Sequence, residues 1–347
     1  MVGHDRQRGP GRGEALLAVA CLLLFAILAA VTQTTQAGEP RYLRIGTGPA
    51  GESYFQIGGL IAGAISSPPG TPACERGGSC GIPGVIAAAL ATAGSVSNVE
   101  AISDGRLDGA LVQADIAAWA ANGQPPFQDR TGGRLRSIAN LYANQLHLVV
   151  PADSPIKSPR DLRGKRVALG VKGSGTLVHA RQVLAAWAVK ESDVKASYQG
   201  SAIAADRMQR GDLDAFFVVD GIPVLSIAEL AKVLPITLVP LAGGGAEKLR
   251  RANSLLASTT IAAGTYQGIG ETIPTLEIGV NFVVSADMPD DLAYGIAKTL
   301  WHPHTIAMLG ERAPQGVGLT SSAALIGLGL PLHPGAMRFY REAGLLH

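Results

Sequence analysis

Residues 42–65 read YLRIGTGPAGESYFQIGGLIAGAI. A short apolar strand, Tyr42 to Ile45, enters the glycine-rich turn Gly46 to Tyr54, and a helix follows from about Phe55 to Ile65. The unit comes twice. Arg166 to Leu169 form a second strand, which runs into Gly-Val-Lys-Gly-Ser-Gly-Thr (170–176) before a helix through Trp187. Gly46 superposes on Gly170 and Gly51 on Gly175 at an offset of 124 residues. Gly94 and Ser95 recur as Gly200 and Ser201, and Gly105, Leu107, Asp108 and Val112 recur as Gly211, Leu213, Asp214 and Val218, all at an offset of 106. The 18-residue difference falls on the segment holding Cys74 and Cys80, which reads as an insertion in the first half. Landmarks in the same order predict two related α/β lobes, each built as strand, glycine turn, helix, then strand and helix again. In such units the turn at a strand's carboxyl end aims backbone N–H groups and a helix N-terminus at the crevice. Two facing turns make an anion clamp, unless the glycines serve only to permit tight turns.

The chain's 347 residues suffice for two domains, or one large one. Its 29 Lys and Arg against 27 Asp and Glu leave a net charge of +2, with no basic run beyond the first dozen residues. That argues against nucleic acid as a partner. Charged residues make up 16 % of the chain, against about 25 % in an ordinary domain, while 47 % is apolar and spread along the sequence. Disorder is therefore not expected.

Arg6, Arg8 and Arg12 precede an apolar run from Ala15 to Val31, and Thr32 to Ala37 supply a small, polar stretch suited to peptidase cleavage. Residues 1–37 read as a secretory signal peptide, or as an N-terminal anchor if retained; at 1.5 Å rise the run spans about 25 Å, short of the bilayer's ~30 Å. Export places the rest in the periplasm. Cleavage near Ala37 leaves two cysteines, Cys74 and Cys80, which in an oxidising compartment are expected to form a disulfide closing a tight loop. A metal site there lacks a second Cys or His pair nearby.

Gly46, Gly48 and Gly51 satisfy the dinucleotide fingerprint, yet no acidic residue ends a second strand about 20 residues on. No cofactor is expected. Gly51-Glu52-Ser53 is not a nucleophile elbow, and His302-Pro303-His304 does not stack its imidazoles on one helix face. An enzyme and a metal centre are both set aside. His147 and His179 are the histidines expected near the cleft.

Several separated stretches together resemble one family: "IGTGPAGESYF", "CERGGSCGIPGVIA", "GSVSNVEAISDGRLDGALVQAD", "SPIKSPRDLRGKRVALGVKGSGT", "DLDAFFVVDGIP", "SADMPDD" and "LHPGAMRFYREAGL". The chain is similar over nearly all of residues 40–347 to the TAXI-type solute receptors of TRAP transporters. The resemblance implies a type II periplasmic-binding-protein fold, two α/β lobes joined by a two-strand hinge with a ligand cleft between them. Lobe I is then 40–145 plus 285–347, and lobe II is 146–284, with Leu146–Val150 and Val280–Val284 as the crossings. It also implies a monomer that closes on a small carboxylate or amino acid, such as glutamate or 2-oxoglutarate, and delivers it to TRAP permease membrane subunits. The same fold serving an ABC-type importer or a signalling sensor is the alternative.

The family's site, carried over, gives Thr47, Gly48, Ser53 and Tyr54 from the first turn, then Gly94, Ser95 and Val96, then Gln113 and Asp115. Lobe II supplies Ser174, Gly175, Thr176 and the Asp220-Gly221 turn. Hydroxyls with adjacent N–H groups suit a carboxylate, and Tyr54 covers an apolar chain. Ser95 and Asp115 have a second reading as helix caps, and Tyr54 as a core aromatic. Asp220 departs from the small or apolar residue usual in the family. It would repel a carboxylate but meet an ammonium, which favours amino acids over diacids. Lys172 either answers a second carboxylate or is a solvated loop lysine.

Overall fold

The computed structural model describes residues 39–128, 134–313 and 319–346. The expected leader lies outside the described residues. In chain order the first half contains β1 (Arg41–Gly46), α1 (Ser53–Ile65), β2 (Ser66–Ser67), β3 (Ile82–Pro83), β4 (Val85–Leu90), α2 (Ser95–Ser103), β5 (Gly109–Gln113), α3 (Ala114–Ala121) and the long β6 (Leu135–Pro151). Then come β7 (Arg166–Ala168), α4 (Gly175–Ala186), β8 (Lys195–Ser197), α5 (Ser201–Gln209), β9 (Ala215–Asp220), α6 (Leu225–Val233), β10 (Ile236–Leu238), α7 (Gly244–Ala252), β11 (Ala257–Ile261) and the long β12 (Ile273–Ser285). Helices α8 (Asp290–Leu300), α9 (Pro303–Arg312) and α10 (Pro334–Glu342) follow. Among the described residues no helix is long and apolar enough to cross a membrane.

A central sheet flanked by helices runs β4-β1-β5-β12-β6-β9-β7-β8. It is one motif used twice. β4, β1 and β5 are parallel and meet an antiparallel β12; β8, β7 and β9 are parallel and meet an antiparallel β6. The duplication extends to side chains. Asp108 accepts the Arg44 backbone N–H at 2.7 Å and grips its guanidinium, and Asp214 does the same to Arg166 at 2.7 Å. Helices α2 and α5 both end before a left-handed glycine, Gly105 at φ 69° and Gly211 at φ 75°. The 106-residue offset therefore holds.

The offset across the first turns is corrected. Ile45 pairs Gly109 where Val167 pairs Ala215, so Arg44 corresponds to Arg166, 122 residues on. Gly51 then matches Gly173, not Gly175, and both are left-handed, at φ 92° and 87°. Glu52 and Ser174 are the matching N-caps. Abundant glycine made a two-residue slip invisible in sequence, whereas positive φ marks the positions where glycine is needed.

Strands β6 and β12 are buried on both faces here, which is why LHLVV and VNFVV read as apolar runs interrupted only by His147 and Asn281. Leu146, Leu148 and Val150 enter the core under α4 and α7, while Val149 enters the core under α5 and α6. Val280, Phe282 and Val284 join the core of α1 and α8, and Val283 that of α2 and α3. Alternation along a strand thus serves two cores at once. Cys74 and Cys80 are bridged, as expected. The cavity beside the bridge, about 520 Å³, is lined by Arg76, Ile82, Lys298 and His302 and involves none of the expected ligand-binding residues. His302 and the two sulfurs lie within 4.8 Å of one another, but bridged sulfurs are not thiolate ligands.

His147 is a core residue, not a cleft residue. Its Nδ1–H donates to the Gln145 carbonyl at 2.9 Å, and its Nε2 accepts the Tyr266 hydroxyl at 2.9 Å. Tyr266 in turn accepts the Val224 N–H at 3.1 Å. Burial pushes the imidazole down to about 4, so the native state carries it neutral. An unfolded histidine titrates near 6.5 and binds a proton first on acidification, so stability present above pH 6.5 is lost as pH falls toward 4. Denaturant titrations should lose about 3 kcal/mol more over that interval in the wild type than in His147→Asn. Parallel pH profiles would contradict this.

Candidate functional site

Strand register decides where the two halves meet. Gln113, the last residue of β5, lies opposite Val280, which lies opposite Tyr142. Asp220, the last residue of β9, lies opposite Gln145, which lies opposite Glu277. The carboxyl ends of β5 and β9 therefore converge within three residues along β6. The first turns converge with them: Ser97 N–H donates to the Gly173 carbonyl at 3.0 Å. A Cβ added to Gly94 would sit 3.5 Å from Ser174 Cα, and one added to Gly175 would strike Gln113 Oε1 at 1.7 Å. Glycine is what lets the halves touch.

Each half caps a helix of the other. Ser53 opens α1, and its N–H, one of the donors a helix cannot satisfy internally, reaches Asp220 Oδ2 at 3.1 Å. The Ser53 hydroxyl donates to Asp220 Oδ1, which also accepts the Gly221 N–H at 2.9 Å. In return Glu52 reaches the N-terminus of α5, where Ser201 Oγ donates to Oε1 at 3.3 Å and the Ser201 N–H also bonds the carboxylate. Helix N-termini stabilise anions, so both carboxylates occupy favourable ends. Tyr142 adds its hydroxyl at 3.1 Å from Ser53 Oγ.

The two acids also oppose each other. Burial first, and then the charge of Asp220, push the Glu52 carboxyl up to about 8. Burial raises Asp220 too, against the pull of its Ser53 and Gly221 donors. At neutral pH Glu52 therefore holds a proton, while Asp220, the more deeply buried of the two, has three donors to offset its charge. Tyr54, directly after them, is 6 % exposed, and its hydroxyl has no hydrogen-bond partner. Burial holds that phenol well above its ordinary range; the Ser95 hydroxyl works against burial, and the charges of Asp220, Asp115 and Glu52 add to it.

The remaining expected residues divide. Ser95 Oγ accepts the Gln113 N–H at 3.1 Å; it does not cap α2, whose N-cap is Gly94 at φ 113°. Gln113 is 2 % exposed with Oε1 unpartnered. Ser174 is a cap: Oγ accepts Leu177 N–H at 3.1 Å and donates to Val171 O at 2.7 Å. Thr176 Oγ1 accepts the Val219 N–H at 3.2 Å. Thr47 is fully buried and gives its hydroxyl to Leu90 O at 2.8 Å. Gly48 packs its Cα beside Tyr54, and Val96 lies in the α2 and α3 core. Thr47, Thr176 and Val96 thus hold framework positions. Asp115 is not the N-cap of α3, which is Gln113, but its Oδ1 accepts the first-turn Ile116 N–H at 2.8 Å; its Oδ2 accepts Asn253 Nδ2 at 2.6 Å and lies 3.4 Å from His179 Nε2, all buried. Lys172 is exposed and stands 5.4 Å over the Tyr198 ring, a loop cation and not a partner for a second carboxylate.

Glu52, Asn98, Tyr142 and Ser201 are the polar residues that the sequence reading left out of the site. Asn98 ties the ends of two strands, donating to Thr47 O at 2.7 Å and Leu111 O at 2.9 Å. Ser201 carried a signal, since it repeats Ser95; Glu52 carried one as the residue before the first helix, where a cap is expected.

Because Ser174 spends its hydroxyl on capping, Ser174→Ala should lower unfolding free energy by about 1 kcal/mol, an ordinary N-cap loss, measured by urea titration. Unchanged stability would show that the hydroxyl is free for another task.

The family model described as "NMT1-like family" matches residues 45–344. Among solved structures, the periplasmic aliphatic sulphonate binding protein SsuA of Escherichia coli is similar at 17 % identity, with 82 % of this chain and 81 % of that chain covered and a TM-score of 0.43. The alkanesulfonate-binding protein SsuA of Xanthomonas axonopodis pv. citri, bound to MOPS, is 18 % identical, with 90 % and 96 % covered and a TM-score of 0.43. A putative L-cystine ABC transporter protein of Listeria monocytogenes is 14 % identical, with 81 % and 98 % covered and a TM-score of 0.47. With its model spanning nearly the whole described chain, the protein belongs to the NMT1-like family.

Proposed function

We propose that this chain is an extracytoplasmic solute-binding receptor that captures a small polar solute between two lobes and passes it to a membrane permease. Lobe I is 40–145 plus 285–347, and lobe II is 146–284, with β6 and β12 as the crossings about which they part. The observation that carries this reading is the opposition of two duplicated strand-turn-helix units whose helix N-termini meet over the crossing strands. That is the switch-point crevice where open α/β sheets bind ligands. The Ser97 to Gly173 contact and the Ser53 to Asp220 clasp describe the closed arrangement, and parting them admits the solute.

Ser53, Tyr54, Gly94, Ser95, Gln113, Ser174, Gly175, Asp220 and Gly221 face that crevice in this reading, with Thr47, Gly48, Val96 and Thr176 as its supporting wall. The sequence resemblance supports a TAXI-type receptor of a TRAP transporter, with a small carboxylate or amino acid as solute. We assign it binding and no chemical step.

The mature protein purified from its native host should carry one small molecule by native mass spectrometry, released unchanged by denaturation. Re-addition at a hundred times its Kd should stabilise the protein by about 2.7 kcal/mol through mass action. Conversion of the released molecule on long incubation would contradict the receptor reading.

A further inference from the structure

The geometry points to a cation subsite at Glu52 and Asp220: the pair takes the ammonium group of the solute and turns away a second carboxylate. The inference rests on the receptor reading and names the chemistry of its ligand. Three observations place it. The carboxylates are anchored on consecutive residues of the first turn, Glu52 by its own position and Asp220 through the N–H and hydroxyl of Ser53. Among the described residues neither makes an ion pair, and the charge that acts on Glu52 is the like charge of Asp220. Beside them the buried Tyr54 hydroxyl has no partner, although the fields of both acids reach it. A like-charge pair drawn this far out of water is costly unless a positive group joins it.

The acceptors left over define the guest. Glu52 uses Oε1 on Ser201, and Asp220 spends Oδ1 on two donors and Oδ2 on one. What remains is Glu52 Oε2, the spare lone pairs of Asp220 and the Tyr54 oxygen. Three acceptors and three N–H bonds match a primary ammonium. A dicarboxylate would bring a third negative charge to the same place.

The proton on Glu52 has to leave when the ammonium arrives. The groups facing the pair are Asp220 from β9, Tyr54 from α1, Tyr142 from β6, Ser201 from α5, Asp115 from α3 beyond Tyr54, and Tyr266 beyond Asp220. None of these supplies a positive charge. Binding therefore releases a proton, and affinity climbs as pH rises toward the Glu52 value of about 8.

The test is a thermal-shift series at millimolar concentration with matched probes: L-glutamate against glutarate, L-leucine against 4-methylpentanoate, and putrescine against 1,4-butanediol. Only ammonium-bearing members should raise the midpoint. For a probe that binds, Glu52→Gln should weaken affinity at least tenfold, and the wild-type affinity should rise with pH between about 6 and 8, a rise the variant lacks. Glu52→Gln keeps an acceptor for Ser201, and its circular dichroism and unliganded midpoint establish that it folds. If glutarate or 4-methylpentanoate binds as well as its amine, or the variant binds the amine as tightly as the wild type, the subsite is overturned while the receptor reading survives. If no compound of either kind shifts the midpoint, both fail.

Discussion

The antiparallel pairing of β6 with β12 is the constraint on which the rest of the molecule depends. Glu277 to Ser285 run against Leu135 to Gln145, with register shifts between Val280 and Asn281 and between Phe282 and Val283. From Gln145 onward β6 takes β9 on the edge opposite β12, and β10 then pairs along the edge that β12 has left. Both strands thus join two halves of one sheet that run in opposite directions, which is what turns the carboxyl ends of β5 and β9 toward each other. A one-residue slip would invert every side chain between cores and separate those ends.

The contact that results is polar, and it solves a problem each half has alone. A helix leaves its first N–H groups unsatisfied, and burying such an end without partners costs about as much as a lost hydrogen bond per group. Here Asp220 satisfies Ser53 and Glu52 satisfies Ser201, so each half supplies the acid the other needs. The exchange has a cost of its own. Two carboxylates leave water together, and the rise of Glu52 to about 8 is the molecule's response, a proton taken up to reduce the repulsion. Such a contact is better suited to specifying a geometry and a guest than to adding stability.

How much of this was legible in the sequence depends on how local each feature is. The duplication was, because glycine at positive φ and Asp108 with Asp214 recur for reasons internal to each unit. The two crossing strands showed as apolar runs, and the cysteine pair as a loop closure. Glu52 was passed over because its role depends on a helix 149 residues away. Thr47, Val96 and Thr176 were placed among the binding candidates through the family resemblance, yet Thr47 gives its hydroxyl to a neighbouring strand and Val96 its methyls to the core. Ser95 and Ser174 carry the same side chain at the starts of helices, and only the fold shows that one caps its helix and the other braces Gln113. Sequence announces chemistry; which neighbour receives it is a tertiary matter.

Hydrogen exchange at two backbone amides tests the central claim most directly. Ser53 and Ser97 lie in the first turns of α1 and α2, where no intrahelical acceptor exists, and their acceptors, Asp220 and the Gly173 carbonyl, come from the opposite half. Residue-resolved exchange by NMR on the solute-loaded protein should find both amides protected, with Ser53 losing its protection in Asp220→Ala while the amides of β5 and β9 keep theirs. Exchange of both at the rate of open helix termini in the solute-loaded wild type would contradict the account, because it would mean that the two halves do not meet.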